Sequence, residues 1–242
     1  MVVAAPTRIS RALGVLPVCV VALLVACAGE DLGGEKLPMD AGVLGPAAAD
    51  AMGEVESVQF QLERTGAAVF IDGAESMSLD ALDGRFSAPG SADAILEITV
   101  NGSLGTKIGA VAIDEEVWLS NPVTGEFETL PAGFDIDPSL FFDPEDGWRP
   151  LLAGLTNLQF VAEEDRDGTR YHLTGVAPAD AMQSITAGLV REQDVELDLW
   201  LHPVTALVVA AEFETAFDGE SSQWVLELEN YGEPFVITDP TE

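Results

Sequence analysis

Residues 195–202 read Val195-Glu196-Leu197-Asp198-Leu199-Trp200-Leu201-His202, aliphatic at every odd number and polar or aromatic at every even one. A two-residue period sends successive side chains to opposite faces of an extended chain, so this segment is a strand with one face in a core and the other toward water. The same pattern extends outward in both directions. Trp224, Leu226 and Leu228 alternate with Val225, Glu227 and Glu229, and Leu96, Ile98 and Val100 alternate with Glu97, Thr99 and Asn101. Val58, Phe60 and Leu62 alternate with Gln59, Gln61 and Glu63. Further strands are predicted at 67–72, 77–87, 106–113, 116–120, 157–163, 169–175 and 205–217. Turn dipeptides separate them at Asp72-Gly73, Asp83-Gly84, Pro89-Gly90, Asn101-Gly102, Asp167-Gly168 and Asp218-Gly219. Such short connections suit antiparallel neighbours, because parallel strands need long crossovers.

Three stretches break the alternation. Ala-rich sequence around Pro46, closed by Gly53, predicts a short helix over 41–52. Between 138 and 155, Asp137-Pro138 precedes Leu140, Phe141 and Phe142, and Asp143-Pro144 precedes Trp148, Leu151, Leu152 and Leu155. An Asp followed by Pro is the expected cap and first-turn pair, so two short helices are predicted there. The stretch 178–189 carries Met182, Ile185 and Leu189 at helical steps. Each of these helices is apolar on one side and must lie on something apolar, for which the sheet's inner face is the sufficient candidate.

The chain holds 42 acidic residues against 10 basic ones in 242, a formal charge of −32. That balance excludes nucleic acid as a partner, since affinity for phosphate backbones comes from Lys and Arg releasing counterions. It also argues against an anionic membrane surface as an electrostatic partner. Apolar side chains make up 48% of the sequence, far above a disordered acidic tail, so one domain with a buried core is expected.

Residues 1–26 contain Arg8 and Arg11, no acidic residue and an apolar run from Ala12 to Ala26. Fifteen helical residues span roughly 22 Å, short of the ~30 Å hydrocarbon core, so 1–26 reads as a cleaved signal peptide. The run ends Leu24-Val25-Ala26-Cys27, which looks like a bacterial lipobox, making Cys27 the site of a diacylglyceryl thioether. Residues 27–40, acidic and Gly-rich, would form a flexible tether before a single domain over 41–242. Cys19 leaves with the signal peptide and Cys27 is consumed by the anchor, so the exported domain has no disulfide, thiol nucleophile or thiolate metal site.

The order of these features carries a resemblance. After the lipobox and the Ala-rich helix come Met52-Gly53-Glu54-Val55-Glu56-Ser57-Val58-Gln59-Phe60 and Arg64-Thr65-Gly66-Ala67-Ala68-Val69-Phe70-Ile71-Asp72. Then follow Trp118-Leu119-Ser120-Asn121-Pro122-Val123-Thr124-Gly125-Glu126-Phe127, the 137–145 stretch, Leu199-Trp200-Leu201-His202-Pro203 with Thr205, and Asn230-Tyr231-Gly232. In order and spacing this resembles the LppX/LprA/LprF/LprG family of actinobacterial lipoproteins over essentially all of residues 40–240. The resemblance implies an α+β fold: a strongly curved antiparallel β half-barrel with short α-helices covering the concave face and enclosing an apolar cavity for acyl chains. It implies binding or carriage of a membrane or cell-wall lipid or glycolipid with no chemical step, hence no enzyme and no cofactor. The Cys27 anchor would hold the domain on the outer face of the cytoplasmic membrane, with a membrane lipid exporter as a further partner. The other reading is a non-catalytic interaction, sensor or lipoprotein-chaperone module built on the same half-barrel.

The residues fit that plan on their own account. Eleven Phe against two Tyr is what aromatics placed away from any hydroxyl partner look like. Cavity candidates are Leu140, Phe141, Phe142, Trp148, Leu151, Leu152, Leu155, Met182, Ile185 and Leu189 on the helices, with Phe60, Leu96 and Ile98 on strands. Taken one at a time, each fits core packing better than lipid contact, and only the set makes a credible wall. Catalytic alternatives find little support. The sequence has no Gly-x-Ser-x-Gly, and its two histidines, His172 and His202, both fall in strand patterns. Two His thirty residues apart without Cys do not make a zinc site, and Asp143, Glu145 and Asp146 lack the spacing of a calcium loop. The strand phase places Glu97, Glu196, Asp198, Glu212, Glu214, Glu227 and Glu229 on the convex, outward face. Such a solvent shell suits salty or alkaline surroundings.

Overall fold

The computed structural model describes residues 34–114, 116–130, 139–143, 145–186, 188–217 and 219–241. The targeting segment with Cys27, the Asp137-Pro138 pair, Pro144 and Asp218 lie outside them. The described chain runs α1 (Ala41–Met52), β1 (Ser57–Gly66), β2 (Met77–Ser87), β3 (Ser91–Val100), β4 (Leu104–Ile113), β5 (Glu116–Ser120) and β6 (Phe127–Thr129). A 3₁₀ turn (Leu140–Phe142) and α2 (Trp148–Gly154) follow, then β7 (Thr156–Asp165), β8 (Thr169–Ala177), α3 (Ala179–Ile185), β9 (Val195–Leu201), β10 (Val208–Phe217) and β11 (Glu220–Glu229).

All eleven strands form one antiparallel, unclosed sheet in the order β6-β5-β4-β3-β2-β1-β11-β10-β9-β8-β7. Two meanders, β1–β6 and β7–β11, therefore meet along a β1–β11 seam at the middle of the sheet, where Leu62 stands opposite Leu226. Register threads one apolar row across the inner face: Ile108, Leu96, Leu82, Leu62, Leu226, Ala211, Leu199, Leu173 and Phe160. The outward phase carries the acids: Glu97, Glu196, Glu214, Glu227 and Glu229 are exposed, and Asp198 and Glu212 are half-buried. Two of the expected turns, Asn101-Gly102 and Asp167-Gly168, have positive φ at both residues, as a type I′ hairpin requires, whereas Asp83-Gly84 makes no turn and lies inside β2, paired on both sides.

The sheet departs from the predicted strands where side chains compete for the backbone. Residues 67–72 make no strand, only isolated bridging such as Phe70 to Ser78. Arg64 takes the carbonyls of Gly66 and Ala67, and Asp72 accepts from the N–H groups of Ser76 and Met77 at 2.9 and 2.8 Å, so this stretch folds as a side-chain-bound loop. Strand β10 begins at Val208 rather than at 205, because 203–205 turn on His202, whose Nδ1 accepts from the N–H of Val204 and Thr205. The short β6 is additional; its Phe127 ring fills the space over Gly109, where a Cβ would stand 2.9 Å from Cζ.

The helix layer is also thinner than predicted. In place of two helices over 138–155 there is one 3₁₀ turn and the seven-residue α2, and the third helix is confined to 179–185. Asp143 does not cap α2, whose N-cap is Gly147; its Oδ1 instead accepts from the N–H of Glu145 and Asp146 at 2.7 and 2.9 Å. The α1 helix is as predicted over 41–52 and is capped by Asp40, whose Oδ1 accepts from Gly42 at 2.8 Å. The expected tether is docked before it reaches α1. Leu37 donates its N–H to Pro203 and accepts from the Tyr171 hydroxyl, and Lys36 pairs with Glu163 at 2.8 Å.

Candidate functional site

Helices α2 and α3 and the 3₁₀ turn lie over the concave face. Phe142 anchors the turn by stacking on Phe86 (4.9 Å between centroids) and tilting against Phe60 (5.5 Å). That arrangement needs Gly84 on β2, because Phe60 faces it across the strand pair and lies where a side chain would be. Next to this aromatic wedge the layers part around an apolar chamber of about 40 Å³. Its helix side is Phe141, Trp148, Leu151, Met182, Ile185, Thr186 and Leu189. Its sheet side is Leu62, Leu197, Ala211, Phe213, Trp224 and Leu226.

Among the candidates named from sequence, Phe141, Trp148, Leu151, Met182, Ile185 and Leu189 border this chamber. Phe142, Leu152, Phe60, Leu96 and Ile98 are buried in the continuous core without lining it, and Leu140 and Leu155 are half-buried at the edges of their elements. The sheet side of the chamber was missed, although its residues sit in strands already read by alternation. Alternation reports which face a residue takes, and the chamber's position depends on the β1–β11 pairing, which joins residues far apart in the chain, Leu62 with Leu226 at the chamber itself.

A larger hollow of about 690 Å³ lies alongside, lined by residues 68–73, 75, 188–193 and 215–217. Leu189 borders both spaces. The hollow is acidic, with Asp72, Glu75 and Glu192 against Arg191. Burial works to raise the Asp72 carboxyl, but the Ser76 hydroxyl and three backbone N–H groups outweigh it and hold the group below its usual range.

On the convex face a polar cluster covers Trp200. The indole stacks on His172 (4.6 Å, 11° between planes), lies under the Arg166 guanidinium at 4.2 Å, and donates its N–H to Glu164 at 2.8 Å. The ring nitrogens of His172 sit 2.9 Å from Glu164 and 2.7 Å from Asp198, while Arg166 reaches Glu212 at 2.8 Å. Donation from Trp200, then from His172, holds the Glu164 carboxyl below the usual range. This explains how an outward-phase Trp is only 6% exposed. His172 is thus committed to a surface network and His202 to a turn. Among the described residues, no group of three or more His, Cys, Asp or Glu is placed to hold a metal, and no helix is long and apolar enough to cross a membrane.

An open, curved antiparallel sheet with short helices closing its concave side over an apolar chamber defines a helix-covered half-barrel. The family model described as LppX_LprAFG lipoprotein matches residues 40–237, and the chain belongs to that family of envelope-associated lipoproteins. LprF from Mycobacterium bovis shares the fold at a TM-score of 0.66 and 16% identity, over 86% of this chain and 99% of LprF. LppX from Mycobacterium tuberculosis superposes at 0.55 with 19% identity, over 81% of this chain and 97% of LppX. Among curated proteins there is no significant match.

Proposed function

We propose that this protein is a Cys27-anchored lipoprotein that binds acyl chains of an envelope lipid or glycolipid between its sheet and its helix layer and carries or presents them outside the cytoplasmic membrane. The observation that carries this reading is the apolar chamber, bordered by two short helices and adjoining the larger hollow at Leu189. Residues 1–26 are then the cleaved leader, and the residues after Cys27 the tether to the domain.

The chamber at about 40 Å³ has room for little more than one water, whose share of liquid volume is about 30 Å³. An acyl chain therefore enters by displacing part of the helix layer. The element suited to yield is α3, seven residues long, with Pro178 at its N-cap and its first N–H held only from outside the helix, by Asp194 Oδ1 at 3.0 Å. Uncovering its two buried side chains, Met182 and Ile185, costs roughly 3–6 kcal/mol at about 1.5–3 kcal/mol each. Burying a sixteen-carbon chain returns about 13 kcal/mol relative to water, at about 0.8 kcal/mol per methylene. The chain can thus substitute for the helix. A bilayer offers the same chain nearly the same gain, so uptake from a membrane is close to neutral and reversible without an energy source. Leu189 then marks the way in, with the acidic hollow outside it for the headgroup.

The test is mass spectrometry of organic extracts from the purified, non-acylated domain, with Ile185→Trp as the variant that fills the chamber. Co-purifying lipid that falls in the variant supports the reading. A domain that carries no lipid and binds none in solution overturns it.

A further inference from the structure

One residue of the chamber wall carries a buried, unpaired polar group. Trp148 is 3% exposed and its indole borders the apolar space, yet its Nε1 is fully buried with no hydrogen-bond acceptor among the described residues. The other polar side chains in the lining are satisfied. Trp224 donates to Thr215 Oγ1 at 2.8 Å, while Thr186 donates to the Met182 carbonyl and accepts from the N–H of Val190. The remaining orphan of this kind, Arg149 Nε, packs against Gly53 and is not part of the chamber wall. Buried N–H groups are almost always paired, and leaving one unpaired is costly, so a Phe at position 148 would have served packing alone better.

We infer that the Trp148 N–H is the docking point for an ester carbonyl of the bound lipid, fixing how deep the acyl chain sits and selecting acyl esters over ether-linked or purely hydrocarbon chains. This rests on the chamber being the acyl site. The chemistry of the lining singles out the carbonyl. A carboxylate would bring a negative charge into a space with no cation in its wall, which is prohibitively unfavourable. A hydroxyl could accept from the indole, but its own O–H would then lack an acceptor, recreating the orphan it removed. An ester carbonyl accepts and donates nothing, which is what a lone N–H in an apolar chamber requires. An ether oxygen is a much weaker acceptor and leaves the indole close to unpaired.

The experiment compares methyl palmitate with hexadecyl methyl ether in competition against a fluorescent acyl probe, on the non-acylated domain and on Trp148→Phe. The wild-type domain should hold the ester about tenfold more tightly, equivalent to about 1.4 kcal/mol, and Trp148→Phe should bind the two equally. A second measurement needs no variant. In ¹⁵N-labelled wild-type protein, the Trp148 indole N–H resonance should move downfield on adding the ester and stay near its free position with the ether. Equal affinity for ester and ether with an unmoved indole resonance overturns the assignment of Trp148 while leaving the acyl site standing. Failure of both ligands to bind overturns the acyl site itself, and the role of Trp148 with it.

Discussion

Truncating Ile185 to alanine separates lipid contact from ordinary packing. The side chain is 4% exposed and borders a gap that already exists, so its neighbours have little means of closing over the new hole. Ile→Ala in a core costs about 2–5 kcal/mol, and a short helix that can settle toward the sheet brings the expectation to about 3 kcal/mol. In a domain of this size 1 kcal/mol moves Tm by roughly 2–4 °C, so the lipid-free variant should melt about 6–12 °C below wild type. A bound acyl chain can occupy the hole, returning about 0.8 kcal/mol for each methylene that refills it. Calorimetry with and without methyl palmitate should therefore show a deficit that shrinks by as much as about 2 kcal/mol when the chain is present. Leu79→Ala is the control, since Leu79 is 0% exposed and is not part of the chamber wall; its deficit should not respond to lipid. If the Ile185→Ala deficit is as insensitive to lipid as the control, the chamber is ordinary core and the reasoning fails.

Other expectations follow from particular contacts. Gly84→Ala would place a Cβ 2.6 Å from the Phe60 ring and 2.8 Å from the Asp93 carbonyl, so the urea midpoint should fall by the equivalent of about 1–3 kcal/mol with an unchanged slope. Because the Asp72 carboxyl is depressed, its contribution to the 72–77 loop is complete above its ordinary pKa of 3.8 and lost as pH falls below that. Hydrogen exchange at the Ser76 and Met77 amides should accordingly speed up below about pH 4 beyond its intrinsic pH dependence, and equal protection at pH 3 and pH 6 would contradict this. With a formal charge of −32, the protein should gain stability between dilute buffer and molar NaCl, and a flat melting temperature would detach the acidity from stability. Cys27→Ala should leave the domain folded and move it from membrane to soluble fractions; retention in the membrane would remove the anchor.

What could be read from the sequence follows from how local each signal is. Alternation needs only adjacent residues, which is why 77–87 and 116–120 coincide with β2 and β5 to the residue. The 67–72 stretch shows where that logic stops. Its pattern suits a strand, but Arg64 and Asp72 satisfy the backbone first, and nothing in residue spacing announces that competition. The helix side of the chamber was accessible because Met182 and Ile185 reveal their shared face at helical spacing. The sheet side was not, since Phe60, Leu96 and Ile98 share the inward phase with Leu62, Leu197 and Leu226 and differ from them only in which helix lies opposite. The unpaired Trp148 nitrogen belongs to the same category: composition shows a Trp, and only the packed neighbours show that its N–H has nowhere to go.

The seam at the middle of the sheet also governs how the chain reaches its native state. Nine of the ten strand pairings join neighbours in the chain, and β1 with β11 is the exception. Each meander closes local connections, the longest of them the 178–194 segment that holds α3, at far lower entropic cost than the β1–β11 pairing. The two half-sheets can therefore form independently, and uniting them is the slow, long-range step. Until it happens, β1 and β11 are both free edges backed by apolar inner faces, the state in which such a chain is most prone to join another copy instead of itself. Maturation speed and aggregation risk are thus set at the same seam, the one between the first strand and the last.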